Sequence, residues 1–552
     1  MLPEMQHQDS SVPLTLERTL IAGNPLRAGL KGTYHSLKWS TGEGRQVCGS
    51  DNGEHDERGR TSLLRFLHLT DLHIGDTQSP GRFEFLDRYR EMPWAQVMVP
   101  ATHPHDVFNL HAACCMLETA AACGCAPDSG LPLQFALCSG DSIHSAQANE
   151  LEWFLSLMQG GRIRPMSAGD SYQGVQSALW PGREFWHPDI SGDDFQRYWG
   201  FPRYPGLLDH LVDPLPASGL GLPWLSCFGN HDGLATGQCL TTAEFRQLVV
   251  GSQKCVDLPA GFVASDHAED FRLHPEWFLG GPSLFVAPDP QRCSIGRTEY
   301  VAAHLLAGGS PQGHGFTETN LAQGTSHYVY DGFPGFRLIV MDTANPCGHY
   351  QGSLDQKQFC WLKDRLMEVH SSCFMPDGVE KRLSGQDRLV VICSHHCSQT
   401  LTNSYQCGQE DEARILQEEL QEVLHQFPNV ILWVNGHVHR NRITFHSDPG
   451  RRTQGFWEVT TSSLLDWPCQ ARLMEIFAQG KGSLQIACTM LDHAAPATYP
   501  GGSDMWALGA LHRELAFNYP YGGYRAGRQG LPTDRNVLLV LPSPRAWDKL
   551  QW

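Results

Sequence analysis

Six short apolar runs, each stopping at a polar cluster, constrain this chain more than any other feature. They are LLRFLHLTDLH (63–73), LQFALCSGD (133–141), PWLSCFGNHD (223–232), FRLIVMDTA (336–344), RLVVICSHH (388–396) and NVILWVNGHVH (429–439). Apolar runs of this length bounded by Gly, Asp, Asn or Ser fit strands buried on both faces. Helical patterns lie between them. SAQANELEWFLSLM (145–158) places Leu151, Phe154, Leu155 and Met158 on one face. SLDQKQFCWLKDRLMEV (353–369) opens with Ser353 and Gln356 at the spacing of a capping box and turns Phe359, Leu362 and Leu366 inward. DEARILQEELQEVLHQF (411–427) does the same with Ile415, Leu416, Leu420, Val423 and Leu424. Strands alternating with helices predict a layered α/β fold whose functional groups collect in loops at the strand ends.

The same rhythm divides the 552 residues, a length that suits two or three domains. Residues 1–62 read as an irregular N-terminal arm with one hairpin. Residues 63–493 form the main domain, and 494–552 a C-terminal extension. Within the main domain, 159–222 and 240–330 break the pattern with Gly, Pro, Trp and His. They read as long insertions over the site, where loops of that size are usually functional. The aromatics of the first, Tyr172, Trp180, Phe185, Trp186, Tyr198 and Trp199, suit the wall of a lid. A small packed subdomain would account for them as well. RLMEIFAQ (472–479) and SLQIACTML (483–491) flank Gly480-Lys481-Gly482 as a hairpin.

Composition excludes some functions. The formal charge is −18, from 59 acidic against 41 basic residues. So acidic a surface repels phosphate backbones, which counts against a nucleic-acid partner, while a small anionic substrate fits if metal ions supply local positive charge. No stretch of about eighteen apolar residues suggests a membrane span. The N-terminus lacks a basic start followed by an apolar run, so a cytoplasmic protein is expected. The 18 cysteines are scattered without a Cys-x-x-Cys pair, the pattern of buried, reduced thiols.

The polar ends are the informative part. They read Asp71-Leu72-His73, Gly140-Asp141, Gly229-Asn230-His231-Asp232, Ser394-His395-His396 and Gly436-His437-Val438-His439. Carboxylates and neutral imidazoles at strand ends are ligands for Mn, Fe, Zn and similar ions. There are too many for one ion, and about enough for two that share a bridge. Asp71 and His73 lie two apart, as do His437 and His439, so on extended backbone each pair points one way. The glycines before Asp141, Asn230 and His437 would let the chain turn sharply. Asp-x-His or Gly-Asp alone would equally suit an ordinary turn. The five together, each closing an expected strand, would not.

In this order the motifs resemble those of the calcineurin-like metallophosphoesterase superfamily. NELEWFL, GNHDGL, SHH and WVNGHVHRNRI look closest to a long bacterial branch of it. The resemblance covers residues 63 to about 470. It implies a metallophosphoesterase-type β-sandwich flanked by helices. It also implies two divalent ions, Mn²⁺, Fe²⁺/Fe³⁺ or Zn²⁺, that activate a hydroxide to hydrolyse a small phosphate ester, a monoester or a diester. Asp71, His73 and His439 would hold one ion, Asn230, His395 and His437 the other, and Asp141 would bridge them. His231 would be the catalytic histidine beside the leaving group. Asn230, His396 and Arg440 would contact substrate. One position departs from the pattern. Many relatives carry an Asp three residues after the bridging Asp to orient the catalytic histidine, and here that residue is His144. Asp232 is one replacement for it. A nuclease and a metal-binding scaffold without activity are the alternatives to a small-substrate hydrolase, and no expected ligand is missing.

Overall fold

The computed structural model describes residues 12–49, 59–95, 98, 102–408, 413–479 and 483–544. All six apolar runs form strands, three in each of two sheets. A seven-stranded sheet runs Gln46–Cys48, Val537–Pro542, Ser483–Asp492, Gln470–Gln479, Arg60–Leu69, Phe135–Cys138, Trp224–Ser226. Its last three strands are parallel neighbours. A six-stranded sheet runs Tyr328–Tyr330, Phe336–Val340, Leu389–Cys393, Val430–Asn435, Phe456–Thr460, Arg442–His446, with parallel pairing from the second strand to the fifth. The fold is therefore mixed α/β.

Alternation along these strands explains why their sequences are apolar throughout. Leu338, Val340, Val391, Cys393, Leu432 and Val434 belong to a core shared with Leu64, Phe66, Leu473 and Ile486 of the other sheet. Ile339, Val390, Ile392, Val430 and Trp433 face the other way, into a core built with Leu362, Leu366, Leu420 and Leu424. Those four come from the helices Gln356–Met367 and Gln417–Leu424. A strand packed on both sides has no polar face to show.

Several boundaries differ from expectation. The helix after Ser353 is capped by Asp355, whose side chain accepts from the Gln358 N–H, so Ser353 and Gln356 are no capping box. Asp355 is the better cap because its carboxylate is also favoured at the positive end of the helix. Ile415 forms a bridge to Leu354 instead of a helical turn. Residues 409–412 and the 480–482 turn lie outside the described residues. The N-terminal arm holds the expected hairpin, Arg18–Ala28 with Thr33–Thr41, but Gln46–Cys48 joins the large sheet. Residues 494–544 are likewise built into the main body. Val537–Pro542 is a sheet strand, and the helix Met505–Asn518 lies on the helix Asn109–Cys123. A Cβ on Gly509 would stand 2.6 Å from Cys115 Sγ, so the two helices meet through a glycine.

The first insertion is a packed body. Trp180 and Phe185 are buried with Phe83, Phe245 and Phe271, and Tyr172 and Trp186 with Phe195, Leu511 and Tyr519. These four rings fill interior cores, as the packed-subdomain alternative expects. Cys347 and Cys407 form a disulfide with Cα atoms 5.1 Å apart, so the expectation of reduced thiols fails for this pair. It ties the segment after Phe336–Val340 to the one after Leu389–Cys393.

Candidate metal centre

The ends of the parallel strands bring the motifs together, but through unusual backbone. Asp71, His73, Asp141, His437 and His439 all have left-handed φ, between 47° and 71°. Such conformations cost on the order of 1–3 kcal/mol each and persist where surrounding structure enforces them, characteristically at functional sites. Asp71 N–H donates to the Gly140 carbonyl at 3.1 Å and His73 N–H to that of Asp141 at 3.0 Å. Each i, i+2 pair thus reaches one site from alternate left-handed residues and not from extended strand.

The side chains converge tightly. His439 Nε2 lies 3.2 Å from Asp71 Oδ1, and His73 Nε2 lies 3.0 Å from His439 Nε2. His395 Nε2 is 3.0 Å from Asp141 Oδ2 and 4.0 Å from Asp71 Oδ1. Two overlapping trios, Asp71 with His73 and His439, and Asp71 with Asp141 and His395, each offer ligand atoms within 4.8 Å of one another. His395, His396 and His437 make a further trio.

Bonding elsewhere on these rings fixes which atoms face inward. His395 Nδ1 pairs with the Ser139 carbonyl at 2.9 Å, and His439 Nδ1 with Asp466 Oδ2 at 2.6 Å. Nδ1 is therefore the donor, and Nε2 of each ring meets a carboxylate oxygen across about 3 Å. That contact needs a proton or a cation between the two atoms. Asn230 Nδ2 donates to the Gly237 carbonyl at 2.9 Å, which leaves Oδ1 as the free acceptor. Asp71 Oδ1, Asn230 Oδ1 and His395 Nε2 are buried without a hydrogen-bond partner. Leaving such groups unmatched costs about 1–3 kcal/mol each. Carboxylate, imidazole and amide donors aimed at one space suit divalent ions of the Mn, Fe and Zn type.

Electrostatics agree with that chemistry. Burial pushes the Asp71 carboxyl up, yet His439, His73 and His395 hold it well below the usual carboxylate range. Asp141 is held low as well, the effect of burial being outweighed by His395 and His231. Burial disfavours a charged His395, but Asp141 and Asp71 overcome this and raise it to about 10. His73 and His437 are pushed down, first by burial.

His231 is half-buried beside this cluster, its ring 4.5 Å from that of His73. Its N–H braces Asp141 Oδ1 at 2.8 Å. Its Nδ1 meets the carbonyl oxygen of His144 at 2.6 Å. The orienting group is therefore the backbone of residue 144, and a side-chain carboxylate there is unnecessary. Asp232 does not take that part. Its two oxygens accept from Ile143 and Gly229 N–H groups and clamp two motif loops together. Burial and Asp141 raise its carboxyl to about 7. Burial lowers His231 to about 4.

Two expected substrate contacts have partners within the protein. His396 is buried and spends Nδ1 on Thr343 Oγ1 and Nε2 on the Tyr350 carbonyl, at 2.8 and 2.9 Å, so neither nitrogen is free for a ligand. Arg440 is exposed and donates to the Ala526 carbonyl at 2.7 Å. Of the candidate site residues, His231, His437 and His439 are half-buried.

Gly140 turns the chain with a φ of 95°, whereas Gly229 and Gly436 serve close approach. A Cβ on Gly436 would stand 2.0 Å from Thr70 Oγ1 and 2.3 Å from Asp71 Oδ2, and one on Gly229 would stand 2.2 Å from Asp141 Oδ1. Gly436→Ala must therefore push Asp71 aside. Its metal affinity is expected to fall roughly 10–100-fold, the usual effect of misplacing a ligand's support, as read by calorimetric titration with Mn²⁺. Unchanged affinity would mean that Asp71 is not a ligand.

Three supporting residues escape sequence reasoning. Asp466 holds His439, Arg528 pairs with Asp466, and Asn109 Nδ2 donates to the carbonyls of Leu72 and His73 at 2.6 and 2.9 Å. All lie far along the chain from the motifs they serve, and no local pattern marks them.

No protein-family model matches the chain, and no curated protein matches it. Solved structures similar to the chain include one at 11% identity and a TM-score of 0.34, over 78% of this chain and 100% of the other. It is a dimetal phosphatase from Danio rerio. Among the described residues, no helix is long and apolar enough to cross a membrane.

Proposed function

We propose that the protein is a metal-dependent hydrolase of phosphate esters. The observation that supports this best is the convergence of Asp71, His73, Asp141, His395, His437 and His439 in linked groups of ligand atoms, several of them left unmatched. In this reading Asp71, His73 and His439 hold one divalent ion, and Asn230, His395 and His437 hold a second. Asp141 serves both. Bound together, two such ions polarise a phosphoryl oxygen and make a water acidic enough to ionise near neutral pH.

The chain's own groups do the rest. The Asp466 carboxylate and the Ser139 carbonyl fix the rings of His439 and His395, so that Nε2 is the ligand atom in each. Asn230, turned by Gly237, presents a neutral oxygen and adds no negative charge against an anionic substrate. His231 Nδ1 is spent on the His144 carbonyl, so Nε2 is the nitrogen that meets the leaving oxygen. A ring held near 4 must gain a proton before it gives one, and phosphoryl oxygens beside Nε2 favour that gain.

The test is a panel of chromogenic phosphate mono- and diesters assayed with purified protein and added Mn²⁺. Turnover that disappears on chelation and returns with Mn²⁺ is expected. Protein that carries its ions but hydrolyses no member of the panel would contradict the reading.

A further inference from the structure

A second group of titratable side chains lies behind the paired centre, on the far side of Asp466. The two oxygens of that carboxylate face different neighbours. Oδ2 holds His439 Nδ1 and the Arg528 guanidinium. Oδ1 has no hydrogen-bond partner and points to His103 Nε2 at 3.4 Å and His105 Nε2 at 3.9 Å. The segment that carries both histidines, 102–108, joins the helix Asn109–Cys123, whose first residue also fixes the carbonyls of Leu72 and His73.

Each ring's bonding is informative. His103 Nδ1 pairs with Asp106 Oδ1 at 2.9 Å, and Arg82 holds the other oxygen of Asp106 at 2.7 Å. His103 Nδ1 is the donor, so Nε2 turns a lone pair toward Asp466. His105 is fully buried, and neither of its ring nitrogens has a partner. Its neighbour His512, with ring centroids 4.9 Å apart, also has a buried, unmatched Nε2. A neutral imidazole carries one donor and one acceptor, so a ring with both unmatched costs about 1–3 kcal/mol for each. His103, His105 and Asp106 also offer ligand atoms within 4.8 Å of one another.

We propose that His103 Nε2, His105 Nε2 and Asp466 Oδ1 form a third cation site, suited to Zn²⁺ and distinct from the paired centre. Two imidazoles and a carboxylate are a zinc ligand set, and donors bonded at about 2.0–2.2 Å stand some 3–4 Å from one another. His512, packed on His105 and with its Nε2 unmatched, is a candidate for a fourth position. Asp106 orients His103 as a carboxylate behind a ligand histidine commonly does. His103, His105 and Asp466 are 0–5% exposed, so the site is closed and its ion is structural. Through the two oxygens of Asp466, that ion steadies His439.

This inference does not depend on the hydrolase reading, and the test separates the two. Protein refolded or expressed with Zn²⁺ and freed of loose metal is analysed for zinc per chain, as wild type, His105→Gln, His103→Gln and Asp141→Asn. The two histidine variants are each expected to lose one equivalent and keep the rest, while Asp141→Asn retains one. Zinc-edge anomalous diffraction from wild-type crystals, which needs no variant, should show a peak between His103, His105 and Asp466. Zinc contents equal in wild type and both histidine variants, or no peak there, would overturn the proposal and leave a buried water as the occupant. Loss of all zinc in Asp141→Asn would overturn it as well, whatever the variant's effect on turnover.

Discussion

Asp141→Asn is expected to empty both positions of the paired centre at once and to reduce turnover of a phosphate ester roughly 10³-fold or more. One carboxylate oxygen faces His395 at 3.0 Å and His73 at 3.8 Å, so on the proposed assignment the same group serves both ions. The rate loss follows because two ions contribute several kcal/mol of transition-state stabilisation, and each 1.36 kcal/mol is tenfold. The amide keeps the shape and can still accept from the His231 N–H, so the fold should survive, which circular dichroism checks. His439→Ala, by contrast, should weaken mainly one position. Calorimetric titration with Mn²⁺ separates the two patterns. Equal and mild losses from both variants would make Asp141 an ordinary turn residue.

His231→Ala should leave the metal content unchanged and slow turnover by about 10²–10⁴-fold, the usual contribution of one general acid. Nδ1 is spent on the His144 carbonyl, and no expected ligand relies on the ring for orientation. The deficit should shrink for a nitrophenolate leaving group, which needs little protonation. Loss of metal would instead make His231 a ligand, a geometry allowed by its place in a trio with His73 and His144. Full activity on a poor alkoxide leaving group would move the acid elsewhere. His144, whose Nε2 is buried and unmatched, would then come first, since His396 has no free nitrogen.

The strands were legible in the sequence because parallel strands packed on both faces must be apolar throughout, and each then ends abruptly where the chain meets the polar site. The motif residues could be read for the same reason, as polar groups at the ends of buried strands. Their backbone could not. Nothing in Asp71-Leu72-His73 announces two left-handed residues, because that conformation is imposed by the neighbouring Gly140–Ser142 segment. Asp466, Asn109 and Arg528 were invisible since each reaches the site only through tertiary packing. The sheet strands at 46–48 and 537–542 escaped because they pair with each other across hundreds of residues. The insertion aromatics looked like pocket walls, yet a segment of that length must bury apolar area to stay ordered, and Trp186 and Tyr172 do that.

The central claim is that two ions share Asp141. Electron paramagnetic resonance of the Mn²⁺-loaded protein measures this most directly, because ions joined by one bridge couple their spins. The wild type should give the signal of a coupled Mn²⁺ pair, and Asp141→Asn should abolish it. A wild-type spectrum of isolated Mn²⁺ only, at full loading, would contradict the account.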